Sequence, residues 1–388
     1  MKNKNVAIFG AAFGDEAKAA ICARLSSSGD FDFVVKTAGG SNAGHTAHYN
    51  GKKYIHSLVP TIDFSRNFHP SGYIGSGCVV DLEQLYTELT SFEQDFIGMS
   101  KSIYLDKDAF IVTPEHKRLD KERNAHIGTT GKGIGEAYSD AVNRRGIRVA
   151  DCFASGSEYH PLIKKLESLG LNFTYSLQMR ERFEKSSIIF EGSQAALLDL
   201  NIGTYPFVTS SNTVMAGIHV SGFGFVKLDD VYGITKGYVT RVGNGPFPTE
   251  FIDQDFANSF RNKAGEFGAV TGRPRRCGWL DLVSLKYAIK RSGITSLILT
   301  KVDAMDDFEN IKVCYAYENH GQEIYSASQM TNAIPKYLDL NGWNAGKNSS
   351  ERYESKEFKQ FMKIIENFTE TKISAYTFGV GKHDIQWI

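Results

Sequence analysis

The stretch GDEAKAA, residues 14–20, places a glycine, a carboxylate and an ammonium group where an apolar run gives way to a helical pattern. The first turn of a helix carries unpaired N–H groups and the positive end of the helix dipole, so it attracts phosphate groups. Asp15 and Lys18 therefore predict a site for a phosphate or for Mg²⁺. The stretch is not a Walker loop, because GxxxxGK followed by Ser or Thr is absent. The alternative is an Asp15 that caps the helix beside a surface lysine.

A second glycine-rich stretch, GGSNAGHT at residues 39–46, follows another apolar run. Its glycines allow a ligand to approach the backbone closely. Asn42 has a carboxamide that can read the edge of a base. His45 can act as a general acid or stabilise a developing negative charge. A lone histidine is more often structural, but glycines and an asparagine around it favour a functional role.

Residues 127–135, IGTTGKGIG, hold four glycines, two threonines and one lysine, and NRRGIRV at 143–149 adds three arginines. Hydroxyls, free backbone N–H groups and guanidinium groups are the donors that bind phosphate. The alternative is a flexible glycine loop beside a solvated basic face. The hydroxyl-rich stretch GTYPFVTSSNT at 203–213 predicts a further phosphate contact.

Two later stretches predict the recognition of a carboxylate and of a base. FGAVTGRPRRCGW at 267–279 sets three arginines near Thr271, and arginine side chains suit carboxylates and phosphates. TKVD at 300–303 follows an apolar run. The stem of Lys301 can cover a base, and Asp303 can accept from the N1–H and the amino group of guanine, a donor pair that adenine lacks. Alone, this four-residue pattern is weak.

These polar stretches follow apolar runs that alternate with helical patterns, which predicts an α/β fold. In open α/β sheets the ligands bind at the carboxyl ends of the strands. We therefore expect a single large domain, residues 1–388, around a mostly parallel central sheet with helices on both faces and extra small subdomains. The apolar runs taken as strands are NVAIFG (5–10), FDFVVKTAGG (31–40), SIIF (187–190), VYGITKGYVT (231–240) and SLIL (296–299), with YENHGQEIY (317–325) as a hairpin.

The composition disfavours several classes of protein. Lys and Arg number 44 and Asp and Glu also 44, so there is no basic excess of the kind that nucleic-acid or membrane-surface proteins show. No run approaches the roughly 18 apolar residues of a membrane span. The five cysteines form no CxxC pair, which argues against a zinc site and predicts free thiols in a cytoplasmic protein.

Taken together and in this order, the motifs resemble those of the adenylosuccinate synthetase family. The resemblance runs from residue 14 to residue 303, most of the chain, and several of the shared motifs are long. The stretches that carry it are GDEAK, GGSNAGHT, IGTTGKGIGEAY, RRGIRV, FEGSQ, GTYPFVTSSNT, TRVGNGPFPTE, EFGAVTGRPRRCGWLD and LTKVD.

The resemblance implies a ligase that joins L-aspartate to IMP with GTP and Mg²⁺. In the first step a carboxylate removes the N1 proton of IMP and the 6-oxygen attacks the γ-phosphate. In the second step the aspartate amine displaces that phosphate from C6. Asp15 matches the base and a Mg²⁺ ligand, His45 the acid, Gln194 the residue that orients the 6-oxygen, and the Gly44 carbonyl a second Mg²⁺ contact.

The remaining site residues implied by the resemblance bind the three substrates. IMP contacts are Asn42, Thr129, Thr130 and Thr209, with Thr130 also near the aspartate site, and the aspartate loop and its neighbourhood supply Thr271, Arg273 and Arg275. The nucleoside triphosphate is bound by Gly14, Glu16, Lys18, Lys301, Asp303 and Gly379. Arg144 matches an arginine that reaches the IMP phosphate of the other subunit, which implies a homodimer.

Some residues depart from the family pattern. The first loop usually reads GDEGKGK, and Ala17, Ala19 and Ala20 replace two glycines and a lysine. A methyl group there either demands an ordinary helical φ or crowds a phosphate oxygen. The way in which the nucleoside triphosphate binds, and therefore its identity, stays open, with ATP or dATP as the alternative to GTP. Ser41 stands where histidine is usual.

Two other functions stay open: a relative that aminates dGMP for a 2-aminoadenine pathway, and a nucleotide-binding pseudoenzyme.

Overall fold

The computed structural model divides the chain into two compact units. The residues that it describes are 3–124, 128–268, 272–306, 308–343, 353–379, 381 and 384–388. The first unit comprises residues 1–8, 17–194 and 209–230, and the second comprises 9–16, 195–208 and 231–388. The expected single domain over residues 1–388 stays a prediction.

The described residues form helices and strands in alternation over much of the chain. The helices are α1 Lys18–Ser26, α2 Leu82–Glu93, α3 Pro114–Arg123, α4 Ile134–Val142, α5 His160–Leu169, α6 Ser176–Glu184, α7 Met215–Val220, α8 Gln254–Ala264, α9 Leu282–Ser292 and α10 Lys356–Thr369. The strands are β1 Asn5–Gly10, β2 Phe33–Lys36, β3 His45–Tyr49, β4 Lys52–His56, β5 Ser71–Ile74, β6 Val79–Val80, β7 Ile103–Asp106, β8 Phe110–Ile111, β9 Asn172–Thr174, β10 Ile188–Glu191, β11 Asp230–Lys236, β12 Tyr238–Arg241, β13 Arg276–Asp281, β14 Ser296–Thr300, β15 Asn310–Tyr317, β16 Pro335–Asn341, β17 Ile373–Thr377 and β18 Ile385–Trp387. Short 3₁₀ helices lie at Met99–Ser102, Val149–Phe153, Ala196–Leu198, Val302–Met305 and Ala327–Met330.

In the first unit the sheet strands run parallel in the order β1-β10-β2-β5-β7-β9. The strands β2 and β10 are buried along their whole length, as expected of parallel strands covered on both faces. Helix α1 packs against β10 and against β3 of the small β3–β4 hairpin. Parallel pairing brings the carboxyl ends of β2 and β10 to the same edge of the sheet.

In the second unit β11, β14 and β17 run parallel, and β18 pairs antiparallel with β17. A second sheet has the order β12-β13-β15-β16. Helices begin where the sequence supplies a cap: the Asp253 side chain accepts from the first turn of α8, and that of Asp281 accepts from the first turn of α9.

The predicted α/β class, with a mostly parallel sheet and helices around it, is confirmed. Two local predictions are wrong. The run 231–240 is not one strand, because the chain breaks at Gly237 and β11 and β12 then pair in different sheets. The segment 317–325 closes only a tight turn between Tyr317 and Gly321, because the ladder partner of β15 is β16.

No helix in the described ranges is both long enough and apolar enough to span a bilayer.

Candidate functional site

His45 is fixed by a carboxylate that the sequence did not single out. His45 begins β3 and Glu191 ends β10, and Nδ1 of His45 lies 2.5 Å from Oε1 of Glu191. The same carboxylate accepts from the backbone N–H of Thr61 at 2.8 Å and from its hydroxyl at 2.6 Å. Because Glu191 occupies Nδ1, the ring presents Nε2 for chemistry. No other described residue hydrogen-bonds to this imidazole.

The charges around this pair keep Glu191 ionised. Burial opposes ionisation, but the charge of His45, its hydrogen bond and the charge of Lys36 outweigh burial and lower the pKa of Glu191. For His45 burial lowers the pKa of the imidazole, and the Glu191 charge opposes that effect. Lys36 is the parallel-strand partner of Glu191 in β2, and its buried ammonium has no hydrogen-bond partner within the described residues. We therefore expect a carboxylate that orients His45 throughout the neutral pH range.

Gln194 and the GGSNAGHT turn lie together in the first unit. A methyl group built on Gly39, which has φ +78°, would lie 3.1 Å from Oε1 of Gln194. A side chain at this left-handed φ would be strained and would crowd Gln194, so glycine suits the position. Oε1 of Gln194 is buried and accepts no hydrogen bond from the described residues, so a ligand could satisfy it. Oδ1 of Asn42 accepts from the Gly40 N–H at 3.2 Å, which rigidifies the turn.

The glycine loop after α3 is held by Asp120, a second residue that the sequence analysis missed. Its carboxylate accepts from the Thr129 hydroxyl at 2.8 Å and from the Gly133 N–H at 2.9 Å. Thr129 also accepts from the Gly131 N–H at 3.2 Å. The Thr129 hydroxyl thus shapes the loop, whereas Thr130 is exposed and available to a phosphate. Ile127 of this motif lies outside the described residues.

The other predicted residues of the first unit differ in exposure. Arg144 is exposed just after α4 and has φ +63°. Thr209 is half-buried, and Gly44 directly precedes β3. None of these observations tests their predicted contacts, which stay predictions.

In the second unit one buried carboxylate gathers four donors. Glu266 accepts from Lys236 at 2.8 Å, from the Tyr238 hydroxyl at 2.5 Å and from Lys301 at 2.7 Å, all through Oε1. Its other oxygen accepts from Nη1 of Arg275 at 2.6 Å. Burial opposes ionisation of Glu266, but the charges of Lys236, Lys301 and Arg275 lower its pKa. Burial lowers the pKa of Lys236 to about 8.

Asp15 is joined to this cluster. Nη2 of Arg275 donates to Oδ1 of Asp15 at 2.7 Å. The next residue, Glu16, accepts from the Gly14 N–H at 2.6 Å and, through its carbonyl, from the Thr300 hydroxyl at 2.8 Å. The structure therefore brings together Asp15, Arg275 of the 267–279 loop and the end of β14.

The GDEAKAA turn excludes the alternative of a capping aspartate with a surface lysine. Helix α1 begins after Ala17, which adopts φ +65° and ψ +33°, and no side chain caps it. Lys18 is 2% exposed, so it is not a surface residue. Ala19 and Ala20 lie within the helix. A methyl group in this loop is expected either to demand an ordinary helical φ or to crowd a phosphate oxygen. Ala17 does not adopt the ordinary helical φ.

The TKVD stretch presents an unsatisfied acceptor. Oδ1 of Asp303 is buried and lacks a hydrogen-bond partner in the described part of the chain, and burial raises the pKa of this carboxyl. The backbone of Lys301 adopts φ +52°, and its ammonium also donates to the Ala264 carbonyl at 2.7 Å. A guanine N1–H would satisfy Asp303. At Gly379 a methyl group would lie 2.3 Å from a carboxylate oxygen of Asp384, so a larger residue would displace that side chain.

The predicted aspartate loop is described only in part. Thr271 lies outside the described residues. Arg273 is exposed, and its carbonyl accepts from the Gly268 N–H at 2.8 Å. Arg276 pairs with Glu250 through two nitrogens, so its guanidinium is already bound by the protein.

Backbone strain is concentrated in the predicted motifs. Seven non-glycine residues of the described chain have positive φ, and four of them are in these motifs: Ala17, Arg144, Gln194 and Lys301. Such conformations cost about 1–3 kcal/mol each and are retained mainly where function requires them. This distribution independently supports a functional role for these turns.

No group of three or more His, Cys, Asp or Glu side chains with the geometry of a metal site occurs among the described residues. A Mg²⁺ ion in proteins that bind phosphates is typically held by one or two carboxylates, water and phosphate oxygens. The hard oxygens of Asp15 and of the Gly44 carbonyl are of the kind that Mg²⁺ prefers.

Sequence comparison identifies relatives over nearly the whole chain. The profile of the adenylosuccinate synthetase family matches residues 7–169 and 155–386. The adenylosuccinate synthetase of Petrotoga mobilis is 41% identical over 376 aligned positions, covering 88% of each chain. That of Thermosipho africanus is 40% identical over 411 aligned positions, covering 97% of this chain and 98% of the relative.

Two solved structures are similar to this one. The fully ligated adenylosuccinate synthetase of Plasmodium falciparum superimposes with a TM-score of 0.88 at 28% identity, covering 100% of both chains. The succinoaminodeoxyadenylate synthetase of cyanophage S-2L, bound to dGMP and dATP, gives a TM-score of 0.70 at 18% identity, covering 100% of this chain and 95% of the other. At that identity the second likeness shows the fold alone. The chain therefore belongs to the adenylosuccinate synthetase family of C–N ligases, which act in purine biosynthesis.

Proposed function

We propose that the chain joins L-aspartate to C6 of IMP, with hydrolysis of GTP and with Mg²⁺, and gives adenylosuccinate through a 6-phosphoryl-IMP intermediate. The single observation that carries the proposal is the contact between His45 and Glu191, which holds an imidazole in one orientation at the predicted acid position. The unsatisfied Oε1 of Gln194 supports it, because the residue predicted to orient the 6-oxygen retains hydrogen-bonding capacity.

The reaction needs two steps because an amide oxygen is a poor leaving group and phosphate is a good one. In the first step Asp15 takes the N1 proton, the 6-oxygen forms a bond to the γ-phosphorus, and the bond from that phosphorus to the bridging oxygen of GDP breaks. In its imidazolium form, with Nδ1–H bound to Glu191, His45 donates a hydrogen bond from Nε2–H to the charge that develops on the transferring group. In the second step the aspartate amine bonds to C6, inorganic phosphate leaves with the 6-oxygen, and the amine loses a proton.

For the metal, Asp15 and the Gly44 carbonyl are the proposed protein ligands. A bound Mg²⁺ would neutralise phosphate charge during transfer. Arg275 pairs with Oδ1 of Asp15, and within the described residues Oδ2 has no hydrogen-bond partner, so the carboxylate would keep one oxygen for the metal.

We propose GTP as the donor, with ATP or dATP as the alternative that the first loop raised. Asp303 supports GTP because its buried oxygen lacks a partner in the described structure and guanine brings donors that adenine does not. Lys301 covers the base, with its ammonium held by Glu266. Gly14, Glu16 and Lys18 would surround the triphosphate, because they flank the N-terminus of α1.

The proposed enzyme is a cytoplasmic homodimer in which Arg144 completes the IMP site of the partner. Arg144 is exposed, as a residue that reaches another subunit must be. The five cysteines are free, which suits a reducing compartment.

Mixing two inactive variants tests the action of Arg144 between subunits. Arg144→Ala and Asp15→Asn should each be inactive, and random reassortment into dimers should restore about a quarter of the activity, since half the dimers are mixed and each has one intact site. If mass measurement verifies that mixed dimers have formed and the mixture still shows no activity, Arg144 does not act between subunits.

Labelled substrate tests the activity itself. Purified protein is supplied with IMP carrying ¹⁸O at position 6, L-aspartate, GTP and Mg²⁺. We expect adenylosuccinate by mass, and the ¹⁸O in inorganic phosphate. Product without label in the phosphate would contradict the phosphorylated intermediate, and the absence of product would contradict the function.

A further inference from the structure

We propose that Glu266 is a positioning residue that aligns both the guanine-binding Lys301 and the Arg275 guanidinium beside Asp15, and so couples nucleotide binding to the catalytic carboxylate. This inference rests on the proposed function, because it takes Lys301 as a base contact and Asp15 as the base. Glu266 is assigned no substrate contact here and would act through Lys301 and Arg275.

The geometry gives each oxygen of Glu266 a separate task. Oε1 accepts from Lys301 and from its buried neighbours, and Oε2 accepts from Arg275 at 2.6 Å. The backbone adds a second link, since the Arg275 N–H donates to the Glu266 carbonyl at 3.0 Å. Glu266 is 0% exposed, so water does not compete for these bonds. A displacement of its carboxylate would therefore move the Lys301 ammonium and the Arg275 guanidinium together.

Arg275 carries the connection to Asp15 through one rigid group. Its Nη1 donates to Glu266 and its Nη2 donates to Asp15, so a planar guanidinium bridges two carboxylates. Nε of Arg275 is buried and has no hydrogen-bond partner in the described chain. Without Glu266 the guanidinium would keep Asp15 as its acidic partner, and this tighter pairing would hold Asp15 back from its proton acceptor role.

Lys301 depends on Glu266 in the same way. Apart from Glu266, the described structure offers its ammonium only the Ala264 carbonyl. Its backbone is fixed by the N–H donating to the Thr377 hydroxyl at 3.1 Å, so the side chain is the adjustable part. Loss of Glu266 should therefore loosen the surface against which a guanine base packs.

The test compares Glu266→Gln with Glu250→Gln, a matched control that removes the partner of the neighbouring Arg276. Calorimetry gives the Kd of GDP without IMP or aspartate, and steady-state kinetics give kcat and each KM. For Glu266→Gln we expect the Kd of GDP to rise about tenfold and kcat to fall about a hundredfold. The KM of IMP should stay within about twofold of the wild type, and Glu250→Gln should resemble the wild type in every constant.

A purely structural role would move all Michaelis constants and the melting temperature together, and that result would overturn the proposal. If Glu266→Gln fails to fold, the double variant Lys236→Met with Glu266→Gln removes one buried charge of each sign and keeps the cluster balanced. The same GDP and kcat readouts then apply to that variant, with Lys236→Met as its control.

A double-mutant cycle on GDP affinity tests whether Glu266 affects nucleotide binding through Lys301. Glu266→Gln and Lys301→Met should be non-additive, because both remove the same contact, and additive losses would overturn the coupling. This binding readout needs no turnover. An inactive wild-type protein would contradict the proposed function, but the double-mutant cycle would still test the role of Glu266. An active wild-type protein with additive losses of GDP affinity would contradict this inference alone.

Discussion

Nη2 of Arg275 donates to Oδ1 of Asp15 at 2.7 Å, so the predicted base is paired with an arginine that the sequence placed at the aspartate site. Arg275 is largely buried and is held in turn by Glu266. The second unit therefore contains a continuous chain of charged contacts from Asp15 to Lys301. An aspartate substrate that attracts Arg275 would release Asp15 for proton transfer.

Asp15→Asn should abolish turnover and spare most of the IMP binding. The carboxamide removes the base and the negative charge but can still accept from Arg275, so the fold should persist. We expect kcat to fall by about 10²–10⁴-fold, the usual contribution of general base catalysis. Kinetics and the calorimetric Kd of IMP measure the two effects. Activity close to that of the wild type would exclude Asp15 as the base.

Ala17→Gly should stabilise the protein, because Ala17 adopts φ +65° and a left-handed conformation costs an alanine about 1–2 kcal/mol. After the entropic cost of glycine, we expect a gain of about 0.5–1 kcal/mol in the free energy of unfolding. Ala20→Gly is the matched control within α1 and should lose about 1 kcal/mol. Urea unfolding monitored by circular dichroism measures both, and equal losses would refute the strain.

Asp303→Asn should weaken GTP binding and relax the choice of base. A carboxamide oxygen accepts one guanine donor less strongly than a carboxylate does, and its NH₂ group opposes the guanine amino group. The KM of GTP should rise about tenfold or more, and the ratio of GTP to ATP efficiency should fall. Steady-state rates with each donor measure this. An unchanged donor preference would show that TKVD does not read guanine here.

His56 should destabilise the protein in mild acid. It is fully buried, its Nε2 lies 3.0 Å from the Tyr49 hydroxyl, and burial lowers its pKa from 6.5 to about 3. The folded pKa lies below the unfolded one, so the unfolded chain takes up the proton first as the pH falls. The contribution to stability is full above about pH 6.5 and is lost progressively toward pH 3.

His56→Phe keeps an aromatic ring among Phe64 and Phe92 but cannot be protonated. Between pH 7.5 and 5.5 the wild type should lose about 1 kcal/mol more of unfolding free energy than the variant. The exposed His219→Gln serves as the control and should follow the wild type. Parallel stability curves for the wild type and His56→Phe would contradict this assignment.

The sequence predicted the fold class and the location of the motifs because both follow from local patterns. Apolar runs became β1, β2, β10 and β14, and the polar residues after them lie where parallel strands end. The prediction of one strand over 231–240 was wrong because the residues of both β11 and β12 are buried and favour strands. The two strands are distinguished only by their pairing in different sheets, which the local sequence does not encode.

Residues that organise the site through long-range contacts could not be predicted in this way. Glu191 was part of FEGSQ, but its contact with His45 spans 146 positions of sequence. Asp120 lies in a charged helix and has no local signal for its role in the glycine loop. Glu266 gathers its partners only when β11, the loop after α8 and the end of β14 meet.

A matrix of acceptors and donors distinguishes the proposed reaction from its two alternatives. The purified protein is supplied with aspartate, Mg²⁺, one of IMP, dIMP, GMP or dGMP, and either GTP or ATP, and the succinyl product is followed by absorbance and mass. We expect turnover with IMP and GTP to exceed every other pair. Preferred turnover of dGMP, or a preference for ATP over GTP, would contradict the proposed reaction and would associate Ala17, Ala19 and Ala20 with a different one.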